Sequence, residues 1–123
     1  MNATRMAKTA YSAPSEPVRT ARGIEYEIFA RVTGQLQRAR SNGVFVDMIA
    51  ALHENRRLWQ VLASDLALPD NGLPDDLRAR LLYLAEFTRQ HSRKVSSGEA
   101  EAQVLIDINT MIMRGLRAAG PAT

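Results

Sequence analysis

His53 and His91 are the side chains of this 123-residue chain best suited to bind a transition metal or to move protons near neutral pH. They fall on different expected helices, with no acidic residue at ligand spacing beside either, so no metal site is expected. Paired carboxylates occur at Asp75-Asp76 and at Glu99 with Glu101. The first pair suits the positive end of a helix dipole, and neither pair implies acid–base catalysis. The sequence has no cysteine, which removes disulfides, thiolate nucleophiles and thiolate metal ligands. It also has no glycine-rich phosphate loop, nucleophile elbow or aromatic-rich platform for single-stranded nucleic acid. The expectation is therefore a non-enzyme without cofactor or metal.

Polar groups placed among apolar ones are more informative. In Asn55-Arg56-Arg57-Leu58-Trp59, helical spacing directs Asn55 and Arg56 toward an apolar stripe, beside the only tryptophan, while Arg57 points outward. Asn109 lies near the middle of another broad apolar face. A buried amide without a partner costs about 1–3 kcal/mol, so each should find a hydrogen bond, within the fold or across an interface. One reading is an internal polar network that fixes helix register, with Arg56 lying against Trp59 one turn on. Direct ligand contact is the other.

Around these residues the composition is that of an ordinary folded soluble domain: 46% hydrophobic and 24% charged. The net charge of +3 comes from basic residues interleaved with acidic ones, whereas a nucleic-acid surface gathers them for several simultaneous phosphate contacts. Direct nucleic-acid binding is not expected. Arg89, Arg93 and Lys94 form the densest basic group and suit a solvated helix C-terminus. No apolar run approaches the roughly 18 residues needed to span a bilayer, and the N-terminus lacks the apolar segment of a secretory signal. Both features predict a cytoplasmic protein with no membrane insertion.

An all-α fold is expected, a compact bundle of about four helices. Residues 1–16 read as a flexible leader, 17–119 as a single helical domain and 120–123 as a flexible tail. Met6-Ala7-Lys8 offers an alternative start. Helix one should run from about 18 to 40, carrying Ile24, Ile28, Val32 and Leu36, and stop at Ser41-Asn42-Gly43. Helix two should run from Val44 to Leu66 with Phe45, Met48, Ile49, Leu52, Trp59, Leu62 and Leu66 on one stripe. Helix three should begin near Pro74 and carry Leu77, Leu81, Leu84, Thr88, His91 and Val95. Ser96 and Glu99 have the spacing of a capping box that would open helix four, which continues to about Ala118.

That last helix confines Gln103, Asp107, Thr110, Arg114 and Arg117 to a strip about 80° wide at about 100° per residue. Val104, Leu105, Ile106, Ile108, Met111, Ile112, Met113 and Leu116 cover most of the rest, more than one helix needs to seat itself. Such a helix is either central to its own bundle or turned in part toward a partner. Val104, Ile108, Met111, Ile112 and Met113, with Leu58 and Arg57, are the candidate partner-binding residues.

Ala51-Leu52, Asn55-Arg56, Leu58-Trp59, Asp65-Leu66, Asn71, Leu73-Pro74 and Leu77-Arg78-Ala79 resemble the FlaF family of flagellar proteins. Glu25 with Phe29-Ala30 resembles the family's opening, and Leu105-Ile106-Asp107-Ile108-Asn109 with Ile112-Met113-Arg114-Gly115-Leu116 its close. The resemblance spans about residues 18–117. Asn55, Arg56, Trp59, Asp65, Asn71, Leu73, Pro74, Asn109 and Gly115 are accordingly the structural motif. The resemblance implies a small helical cytoplasmic factor that binds flagellin as a secretion chaperone and promotes flagellin synthesis and export together with a second regulator, FlbT. An RNA-linked regulator of flagellin translation and an adaptor binding FlbT alone stay open, as does self-association. The broad apolar face of helix four agrees with a groove for an amphipathic helix of an export substrate.

Overall fold

The computed structural model describes residues 26–119, which form four helices and no strand. They are α1 (Tyr26–Asn42), α2 (Phe45–Leu66), α3 (Asp75–Ser96) and α4 (Gln103–Ala119). The expected leader and tail, with Ile24 and Glu25, lie outside the described residues. Helix ends follow local chemistry. Gly43, at φ +69°, donates its N–H to Ala39 O at 3.1 Å, the left-handed stop expected after Asn42. The Asn42 amide then bridges to α2, accepting from Val44 N at 2.8 Å and donating to Asp47 Oδ2 at 3.0 Å.

Between α2 and α3 the family-like residues tie down the connection. Asn71 Nδ2 donates to Asp65 O at 3.1 Å and to its carboxylate at 3.3 Å, while Asn71 Oδ1 accepts from Leu73 N at 3.1 Å. Gly72, at φ +93°, permits that turn. Leu73 is thereby set into the core, Pro74 caps α3, and Arg78 Nε donates back to Leu66 O at 3.1 Å.

The capping box expected at Ser96 and Glu99 does not form. Ser96 is the last residue of α3 and its hydroxyl donates to Arg93 O at 2.8 Å. Gly98 N bonds Val95 O at 3.0 Å and Glu99 N bonds Lys94 O at 2.7 Å, with Gly98 at φ +82°, the Schellman close of α3. The glycine inside the Ser-Ser-Gly-Glu run ends one helix rather than letting the next begin, and α4 starts four residues beyond Glu99.

Packing follows an antiparallel order: Phe29 meets Trp59 while Leu36 and Ala39 share a cluster with Ala51 and Leu52. α1 lies between α2 and α4, α3 covers the other flank of α2, and α3 and α4 touch only lightly. The core has two apolar parts. One gathers Phe29, Trp59, Leu62, Leu66, Leu81 and Leu116; the other gathers Leu36, Ala39, Ala51, Leu52, Leu105 and Ile106. Thr33 of α1, Asn55 of α2, Thr88 and Ser92 of α3 and Asn109 of α4 are all buried. Every helix therefore contributes at least one buried polar side chain.

Two expectations for α2 change. Phe45 and Ile49, counted on the buried stripe, are 64% and 37% exposed. The true stripe centres on Asn55, which is fully buried, and Arg56, about 100° round the helix, is half-buried at the edge.

Candidate partner-binding surface

Trp59 fixes the direction of the buried polar chain, because its indole N–H can only donate. It donates to Asn109 Oδ1 at 2.9 Å, which leaves Asn109 Nδ2 to donate to Asn55 Oδ1 at 2.8 Å. This chain joins α2 to α4 across the bundle. Ser92 Oγ returns to Thr88 O at 2.7 Å. Among the described residues Asn55 Nδ2, Thr33 Oγ1 and Thr88 Oγ1 are buried without a hydrogen-bond partner. The motif residues Asn55, Trp59, Asp65, Asn71, Leu73 and Asn109 thus act inside the fold. Arg56 is not laid on the tryptophan ring: Trp59 is met edge-on by Phe29, with ring centroids 5.8 Å apart, and the cation seated over a ring is Arg117, 5.4 Å from the centroid of Tyr26.

The residues expected to meet a partner are distributed unevenly. Ile108, Ile112, Met113 and Leu58 are partly buried and pack against the larger apolar cluster. Val104 is half-buried, Met111 is 52% exposed, and Arg57 is exposed, 3.6 Å from Glu54. Gly115 is exposed on α4, and nothing stands within 4 Å of a Cβ built there.

The larger exposed apolar surface is on α2. Val44, Phe45, Val46 and Ile49 are all exposed, with Val46 at 70%. Phe45, Val46 and Ile49 line a shallow depression of about 630 Å³ that also takes in His53 and Arg56. A second hollow of about 390 Å³ opens between α2 and α3, lined by Trp59, Ala63, Leu82, Ala85 and Thr88, with Arg56, Glu86 and Arg89 also around it. Glu86 is held by Arg89 at 2.6 and 3.1 Å and by Gln90 at 2.7 Å. These bonds lower its carboxyl pKa to about 2, the Arg89 hydrogen bonds contributing most. Arg56 has no ion-pair or hydrogen-bond partner among the described residues. One signal of this surface was present in the sequence: Val44, Phe45 and Val46 are consecutive, and three neighbours on a helix cannot all face one core.

His91 serves the fold, its ring stacked on Phe87 at 5.3 Å and its Nε2 donating to Glu101 O at 3.0 Å across the α3–α4 connection. His53 is exposed beside the α2 depression. Among the described residues no group of three His, Cys, Asp or Glu side chains could hold a metal ion, and no helix is long and apolar enough to cross a membrane.

The model of a family described as flagellar protein FlaF matches residues 7–116. The chain belongs to the FlaF family of flagellar proteins. The match begins inside the segment expected to be a leader, further toward the N-terminus than the resemblance read from residue 18. No curated protein and no solved structure matches the chain.

Proposed function

We propose that this FlaF-family protein binds flagellin in the cytoplasm as a secretion chaperone and, together with FlbT, promotes flagellin synthesis and export. The observation that carries the reading is the group of exposed large apolar side chains at the start of α2, Val44, Phe45, Val46 and Ile49. A small protein that leaves such side chains close together in water has a use for them, and contiguous apolar patches mark partner sites. Family membership supports the flagellar setting, and a helical surface with apolar relief suits the amphipathic helices of an export substrate.

Co-purification of the full chain with flagellin monomer, and separately with FlbT, tests the reading. A stable complex with flagellin, persisting when FlbT is omitted, is expected. Binding to FlbT with none to flagellin would replace the chaperone with an adaptor.

A further inference from the structure

We infer that the outer flank of α2 from Phe45 to Ala63, bordered by Gln35 of α1 at its start and by α3 at its end, is the seat of one amphipathic helix of a partner, whose apolar side chains flank a carboxylate that binds Arg56. Phe45, Ile49, Arg56, Gln60 and Ala63 fall within about 60° of one another at about 100° per residue. At about 1.5 Å per residue the stripe is roughly 27 Å long, the length of about five helical turns. The depression at its start and the hollow at its end both include Arg56, so the two form one continuous surface with a cation at the join.

The chemistry of the occupant follows from what lines this surface. At its two ends the relief is apolar: Phe45 and Ile49, then Ala63, Leu82 and Ala85 beside Trp59. At the join the unpaired charge is a cation. Arg56 is free among the described residues, the hydroxyl of buried Thr88 has no partner, and the acid of the hollow, Glu86, is already engaged by Arg89. A carboxylate accepts a charge-assisted bond from the free Arg56 guanidinium, whereas an ammonium group there would be set beside a like charge. A second copy of this chain fits poorly. Two stripes paired about a two-fold axis would centre near residue 54 and bring the two Arg56 guanidiniums together.

This inference rests on the flagellin reading only for the partner's identity, and the test separates the two. The first arm uses the full chain and synthetic helical peptides of about 18 residues without tryptophan, carrying leucines on one face and a central glutamate or, in a twin, lysine. Emission of Trp59, the single tryptophan, reads occupancy of the hollow it floors. The glutamate peptide should bind at least about tenfold more tightly, and Arg56→Glu should reverse the preference. No binding by either peptide, or an unchanged preference in Arg56→Glu, overturns the inference. The second arm measures flagellin binding by Phe45→Asp and Arg56→Glu. Both should weaken it about tenfold or more, with native helix content by circular dichroism. Flagellin binding unaffected by Phe45→Asp and Arg56→Glu sinks the inference and leaves the chaperone reading intact. Peptide binding without flagellin binding does the reverse.

Discussion

Asn109 is the residue whose removal the fold should feel most sharply for its size. Its two amide atoms hold the Trp59 indole and the Asn55 carbonyl, so Asn109→Ala leaves two buried groups unpartnered as well as a cavity. Each orphan costs about 1–3 kcal/mol, and the expected loss is about 2–5 kcal/mol in urea unfolding followed by Trp59 emission. Trp59→Phe read by circular dichroism should show coupling of about 0.5–3 kcal/mol with Asn109→Ala, since removing both ends of one bond strands fewer atoms than two separate removals. Additive effects would mean the bond contributes nothing. The need for this bond was legible in the sequence, because an amide in the middle of an apolar helix face demands a partner. Which partner was not, since residues 50 apart meet only through the antiparallel order of the bundle. At the surface, Glu86 should titrate near 2 by NMR, lowered by its hydrogen bonds to Arg89 and then Gln90. In Arg89→Leu its pKa should rise toward the ordinary value of 4.5. A folded pKa below the unfolded one means that the pair's small, solvent-screened contribution is present above the unfolded carboxyl pKa and is lost as pH falls toward about 2.

At the scale of elements, four helices and nearly all their described ends followed from apolar period and from glycine, proline and asparagine at the stops. The end of α3 did not, because two signals compete there. Ser96 and Glu99 have capping-box spacing, but Gly98 between them takes the left-handed conformation that closes a helix, and the Schellman bonds it permits satisfy carbonyls of α3. The prediction separates the two devices. Gly98→Ala, forced to φ +82°, should cost about 1–2 kcal/mol, while Glu99→Ala should stay within about 0.5 kcal/mol. Thermal melts of the two variants check it, and the opposite ranking would restore the capping box. The exposed start of α2 was misread for a related reason. Phe45 and Ile49 continue the helical period of the buried stripe, yet period says only which way a side chain points, not whether another helix extends far enough to cover it.

For the molecule as a whole, the sequence showed that α4 carries more apolar surface than a seat requires, but not how that surface is divided. In the bundle α4 rests chiefly on α1 and reaches α2 through Asn109, so Leu105, Ile106 and Leu116 turn inward and Ile108, Ile112 and Met113 pack at the margin. Met111 stays 52% exposed. The structure therefore gives Met111→Asp and Ile108→Asp, three residues apart on one helix, opposite outcomes. A carboxylate at 111 remains in water and should shift stability by no more than about 0.5–1 kcal/mol. At 108 it must be taken from water against the larger apolar cluster, where an unpaired charge costs several kcal/mol, comparable to the whole stability of a domain this size. Circular dichroism should show native helix content for Met111→Asp and a largely unfolded chain, or one rescued at a pH low enough to protonate the new acid, for Ile108→Asp. Unfolding by the first, or indifference to the second, would mean that α4 presents a different face to the bundle, and the surface left for a partner would have to be redrawn with it.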